Sequence, residues 1–150
     1  MLLIDVDGTL TDGGIYLTEK GDEFKKFNSK DGIGIKNAMK NGVIVGFISA
    51  SIAVEIVKRR AEMLGVAHCY VGNKPKTEIL QAWLDDLSIP IDEVAFVGDD
   101  INDQEIMSAV GFSACPANAV QAIVETADVV LEKNGGDACV REFIDKYLLS

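Results

Sequence analysis

The chain has 150 residues, 48% of them hydrophobic, with 24 acidic side chains against 14 basic ones and a formal charge of -10. That length suits one compact domain burying roughly 68–70% of its unfolded surface, and the apolar content excludes intrinsic disorder. The negative charge repels polyphosphate backbones, so nucleic acid is not an expected partner and any bound anion must be held by local groups.

No apolar run approaches the ~20 residues of a membrane helix. Met1 leads straight into Leu2-Leu3-Ile4 without the basic and long apolar regions of a secretory signal, which predicts a cytoplasmic protein. Cys69, Cys115 and Cys139 are widely spaced and form no CxxC pair, so small buried thiols are expected rather than disulfides or a zinc site.

In chain order, apolar runs rich in Val, Ile and Phe predict strands at Leu2–Asp5, Val43–Ile48, Cys69–Val71, Val94–Val97, Phe112–Ala114 and Val129–Leu131. Helix-period segments fall between and after them, at Gly32–Lys40, Ala53–Leu64, Lys76–Leu87, Asp103–Val110, Ala119–Thr126 and Cys139–Tyr147, with Gly42, Gly65 and Gly111 where C-terminal caps belong. The segment from about 14 to 28 departs from this rhythm: Ile15–Thr18 and Glu23–Phe27 flank a polar turn and read as a β-hairpin. The alternation predicts an α/β fold, a doubly wound and mostly parallel Rossmann-like sheet, as a single domain over 1–150. His68 is expected in an exposed turn, and Trp83 in core or interface packing.

Open parallel sheets bind ligands beyond the carboxyl ends of their strands. There the sequence puts Asp5 and Asp7 after the first strand, Ser49-Ala50-Ser51 after the second, Lys74 and Lys76 after the third, and Asp99, Asp100 and Asp103 after the fourth. Acids gathered at one edge repel one another unless a cation sits among them. Oxygen donors without nearby His or Cys suit Mg²⁺, and the spacing lacks the glycine and glutamate of a calcium EF-hand loop. With Mg²⁺, a phosphoryl substrate follows. One carboxylate can act as nucleophile and a second as general acid/base, while Ser49 bonds the phosphoryl oxygens and Lys76 offsets their charge. One of Asp100 and Asp103 is expected to cap a helix, the other to hold Lys76 or a metal-bound water. Ser51 is expected to cap the helix after it, and the competing reading of Lys76 is a first-turn helix lysine in solvent next to Lys74.

Asp5-x-Asp7-Gly8-Thr9, Ser49, Lys76 and Gly98-Asp99-Asp100-x-x-Asp103, in this order, resemble the haloacid dehalogenase superfamily of aspartate-nucleophile phosphatases. Within it, Asp7–Gly13, Phe27–Ile35 and Gly135–Glu142 resemble the capless 3-deoxy-D-manno-octulosonate 8-phosphate phosphatases and the related nonulosonate (sialate) 9-phosphate phosphatases. The resemblance implies that Asp5 is the nucleophile and Asp7 the acid/base. It also implies Mg²⁺ held by Asp5, the Asp7 carbonyl and Asp99, and a homotetramer in which a neighbouring subunit covers the site. Thr9, Ala50, Arg60 and Arg141 are its candidate substrate-binding residues. The gaps on either side of Ser49 have no room for a cap domain, and the hairpin is the expected assembly element.

Some positions depart from the family pattern. Ala50-Ser51 stands where the octulosonate enzymes usually carry Gly-Arg, and Met63 replaces a lysine of some nonulosonate enzymes. Arg60 and Arg141 remain able to grip a carboxylate. The competing reading is a catalytically silent assembly module like the one appended to sialate cytidylyltransferases. Retention of Asp5, Asp7, Ser49, Lys76 and Asp99 argues for the enzyme. A phospho-receiver domain is disfavoured by Asp7, which would discharge an aspartyl-phosphate rather than store it.

Overall fold

The structure, a computed structural model, describes residues 1–150. Strand β1 (Leu2–Asp5) is buried along its whole length, as an unbroken apolar run requires of a strand covered on both faces. It pairs in parallel with β4 (Val45–Ser49) on one side and β6 (Ala95–Val97) on the other. Adding β5 (His68–Val71), β7 (Phe112–Cys115) and β8 (Val129–Val130) gives a six-stranded parallel sheet in the order β5-β4-β1-β6-β7-β8. The order runs one way from β1 and then reverses, so the crevice beside β1 is the topological switch point at which such sheets bind ligands.

Alternation along β1 divides the core between two faces. Leu2 and Ile4 join the layer of α1 (Ser29–Lys40), α2 (Val54–Leu64) and α6 (Cys139–Phe143), through Ile35, Val57, Ala61 and Phe143. Leu3 joins the opposite layer of α3 (Lys76–Leu87), α4 (Gln104–Ala109) and α5 (Gln121–Thr126), through Leu80, Leu84, Ile106 and Ile123. Full burial of such a side chain contributes about 1.5–3 kcal/mol, so helices on both faces hold β1 rigidly under the acids at its end.

Several boundaries differ from the sequence expectation. Helix α1 begins at Ser29, three residues before Gly32, because the Asn28 side chain accepts the Lys30 N–H at 2.9 Å and caps it. A 3₁₀ turn, Ile101–Asp103, precedes α4, and α6 runs on into a wider turn at Ile144–Leu148. Gly65 ends α2 and Gly42 follows α1 in the left-handed conformation, whereas Gly111 is absent from that region. A Cβ at Gly111 would lie 2.0 Å from the Asp92 carbonyl oxygen, so close backbone approach, not capping, calls for glycine there. His68 is in β5 rather than an exposed turn, half-buried and edge-on to Trp83 at 5.4 Å.

The hairpin is present but short: β2 (Tyr16–Leu17) pairs antiparallel with β3 (Glu23–Phe24), with the rings of Tyr16 and Phe24 stacked at 5.1 Å. Bonds closing Thr18 onto Asp22 take over the backbone where longer strands were expected. A single bridge, Thr11 to Phe27, ties its base to the body.

Candidate active site

Asp5 ends β1, and the chain then makes a tight turn, Val6–Leu10, closed by the Thr11 N–H on the Val6 carbonyl at 3.0 Å. Gly8, with φ +90°, is the pivot: a Cβ there would lie 2.0 Å from Asp99 Oδ2. Only glycine lets the loop after β6 bring Asp99 against the end of β1.

Lys76 opens α3 and reaches back beneath the sheet edge. Its Nζ donates to Asp5 Oδ1 and Asp103 Oδ1, each at 2.5 Å, with Asp5 5%, Lys76 8% and Asp103 0% exposed. Asp103 Oδ2 in turn accepts the N–H groups of Asp99 at 3.0 Å and Asp100 at 3.4 Å. One buried carboxylate therefore fixes both the lysine and the Asp99 loop. Asp100 caps the 3₁₀ turn, accepting the Ile101 N–H at 2.7 Å. Asp100 thus caps the turn while Asp103 holds Lys76. Lys74 is exposed and faces Glu78 at 3.6 Å.

Asp5, Asp99 and Asp103 offer carboxylate oxygens all within 4.8 Å of one another. Burial, reinforced by the charge of Asp103, pushes Asp5 well above the usual carboxylate range and Asp99 up to about 6. These acids stand closer than like charges tolerate, and Lys76 supplies one cation. An all-oxygen donor set, with a carboxylate on each of the β1 and β6 loops, fits a hard divalent ion.

Asp7 lies beside this cluster, its Oδ1 accepting Lys25 Nζ at 2.5 Å and its Oδ2 accepting Ser49 Oγ at 3.4 Å. Ser49, at the end of β4, also accepts the Ser51 N–H at 3.0 Å, and Ser51 accepts the Ala53 N–H just ahead of α2. Asp5, Asp7, Ala50, Ser51, Asp100 and Asn102 line an open cavity of about 200 Å³. A larger, mostly apolar cavity of about 430 Å³ opens at the other end of the sheet, between Met1, Val43 and Phe112.

Two expected substrate contacts are placed elsewhere. The Thr9 side chain is fully buried and donates to Asp99 Oδ1 at 3.3 Å, so it braces an acid instead of facing a ligand. Arg141 packs its methylenes against Gly34, and its Nε pairs with Asp145 at 2.7 Å one helical turn on. Arg60 is half-buried, donates Nη2 to the Asn28 carbonyl at 3.2 Å and lies over the Phe27 ring at 5.3 Å. Arg59 and Arg60 both border a third cavity of about 280 Å³ with Lys25, Phe27, Ile56 and Met63.

Lys25 and Asn102 were absent from the sequence expectation. Glu23, Lys25 and Phe27 recur at strand spacing, and that period was the available signal that Lys25 turns inward while Lys26 stays exposed.

Residues 64–144 match the family of haloacid dehalogenase-like hydrolases. Over 100% of its length the chain is 39% identical to the 3-deoxy-D-manno-octulosonate 8-phosphate phosphatase of Salmonella typhi, spanning 79% of that protein. It superimposes with a TM-score of 0.94 on the phosphatase of the same name from Yersinia pestis, at 36% identity, covering 99% of this chain and 80% of the other. The Moraxella catarrhalis phosphatase, crystallised with a magnesium ion, a phosphate ion and KDO, superimposes with a TM-score of 0.92 at 31% identity, covering 96% and 82%. No helix in the chain is long and apolar enough to cross a membrane. With its switch-point carboxylates and their lysine, the chain belongs to the haloacid dehalogenase-like hydrolases and stands among their phosphatases.

Proposed function

We propose that the protein is a Mg²⁺-dependent phosphomonoesterase for a 3-deoxy-2-keto sugar acid phosphate, an octulosonate 8-phosphate or a nonulosonate 9-phosphate. The observation that carries this is the Lys76 ammonium bonded at 2.5 Å to both Asp5 and Asp103, with Asp99 beside them at the mouth of the sheet. One octulosonate phosphatase that it resembles, from Moraxella catarrhalis, was crystallised with magnesium, phosphate and the sugar acid.

Asp5, the Asp7 carbonyl and Asp99 would hold the metal, which when bound offsets phosphoryl charge and the repulsion among the acids. The Asp5 carboxylate attacks phosphorus in line. The bond from phosphorus to the sugar oxygen breaks as Asp7 gives that oxygen a proton, leaving an aspartyl-phosphate on Asp5. Asp7 then takes a proton from water, which attacks phosphorus to release inorganic phosphate and restore Asp5. Lys76 has three donors and spends two on Asp5 and Asp103, so its third remains for a phosphoryl oxygen. Ser49 contacts another phosphoryl oxygen, Ala50 forms the cavity wall, and Arg60 is the candidate for the substrate carboxylate. Asp100 and Asp103 hold the loop, Asp103 also fixing Lys76.

The protein acts in the cytoplasm as one domain over 1–150, and a homotetramer closes the open site with a neighbouring subunit. The silent-module reading is disfavoured, because the motif residues are engaged at one sheet edge, Lys76 with Asp5 and Asp103 and Ser49 with Asp7.

The test is phosphate release from both sugar acid phosphates with Mg²⁺ and with chelator. Turnover is expected with metal only, and Asp5→Asn should lower kcat by at least about 10⁴-fold, since the nucleophile has no substitute. Turnover surviving in chelator or in Asp5→Asn refutes the assignment.

A further inference from the structure

The hairpin so far has only an assembly role, yet it delivers a lysine into the site. The Lys25 side chain is 5% exposed although it directly follows the second strand of a peripheral two-stranded ribbon, while the Asp7 side chain that it meets is 41% exposed. An exposed ion pair contributes about 0–1 kcal/mol, too little to account for withdrawing an ammonium from water. The pair does fix a direction. Asp7 has one strong contact, Lys25 Nζ at 2.5 Å, and one weak one, Ser49 Oγ at 3.4 Å; without the lysine its carboxyl would turn freely. Glu23, 3.4 Å from the same Nζ, holds the ammonium from the other side.

We propose that Lys25 is the positioning residue for Asp7: it clamps one carboxyl oxygen so that the group faces the departing sugar oxygen, and it makes the hairpin part of the catalytic machinery. This rests on the phosphatase reading above. Lys25 also borders the cavity shared with Phe27, Arg59 and Arg60, so it could instead read the substrate's carboxylate. The two roles leave different kinetic signatures. In kcat/KM, which reports the steps up to loss of the leaving group and not the later attack of water, a positioning role matters only where the leaving oxygen needs a proton, whereas a carboxylate contact acts through KM for the sugar acid alone.

The experiment measures kcat and KM of Lys25→Met and Lys25→Arg on octulosonate 8-phosphate and on p-nitrophenyl phosphate, whose phenolate leaves without protonation. For Lys25→Met the sugar acid phosphate should lose about 100-fold in kcat/KM, mostly in kcat, and the aryl ester less than about fivefold, since general acid catalysis contributes about 10²–10⁴. Lys25→Arg, which keeps the charge, should show the same selectivity with a smaller loss, and it decides the matter if Lys25→Met does not fold. Equal losses on both esters, no loss, or a change confined to KM for the sugar acid each overturn the proposal. Absence of turnover of either ester by the unaltered protein would instead overturn the phosphatase reading.

Discussion

Asp31 is the most deeply buried acid outside the active site, 1% exposed, and its environment is lopsided. Oδ1 accepts the Arg141 N–H at 2.8 Å at the start of α6, while Oδ2 is buried without a partner. Burial pushes its carboxyl up to about 6, only partly countered by those backbone donors and by Arg60. A carboxyl raised on folding binds its proton more tightly in the native chain, so its contribution is fully present below the unfolded value near 4 and is lost as pH rises through about 6. A shift of that size corresponds to about 3 kcal/mol. Asp31→Asn cannot ionise and carries an N–H to the orphaned side. Urea unfolding at pH 4.5 and pH 7.5 should therefore show the variant gaining about 2–3 kcal/mol relative to the parent between the two pH values; a pH-independent difference would rule out this account. Residue identity in the sequence disclosed Asp5, Lys76 and Asp99 because charged groups at strand ends have few structural reasons to exist. It leaves open the part of Thr9 and Arg141, whose side chains could equally face a ligand or an internal partner, and which within one chain meet Asp99 and Asp145. Which partner wins depends on contacts distant in sequence.

At the scale of elements, periodicity carried the fold because each strand and helix is buried where its apolar spacing says. The change from period 2 to period 3.6 and back located the main strands and helices, and polar residues at strand ends located the site. Periodicity cannot see a cap or a short ribbon: Asn28 extended α1, and the hairpin's few pairs put Lys25 on Asp7 through a fold-back of the chain. At the same ribbon Ile15 and Leu17 are 77% and 63% exposed and, with Ile52 at 94%, line a further cavity of about 420 Å³ that Asp7 and Lys25 also border. Isolated two-stranded ribbons are marginal in water, and exposed apolar side chains gathered at a site's rim mark an interaction surface. If the hairpin joins subunits, Ile15→Glu with Leu17→Glu should lower the light-scattering mass from that of four chains to that of one, with the circular dichroism of the sheet and helices retained. An unchanged mass would detach the hairpin from assembly.

For the molecule as a whole, the active site is a place where stability is given up. Three carboxylates converge in a chain that already carries a charge of -10, and only Lys76 offsets them from within. The burial and repulsion that raise Asp5 and Asp99 cost free energy, part of which a bound cation recovers, so metal affinity and fold stability are linked. An ion binding only the native state at a hundred times its Kd adds about 2.7 kcal/mol, which for a chain of this size corresponds to a rise in Tm of about 5–10 °C. Asp99→Asn separates the two sides of that linkage. It removes one of the repelling charges, so the metal-free variant should melt a few degrees above the metal-free parent. It also removes a carboxylate proposed to hold the metal, so Mg²⁺ should no longer raise its Tm. Calorimetry of both proteins in chelator and in excess Mg²⁺ gives the four values: the parent should lie below the variant without metal and above it with metal. If the order does not cross, the acids are not held apart from their optimum for the sake of a cation, and the site must owe its geometry to Lys76 and Asp103 alone.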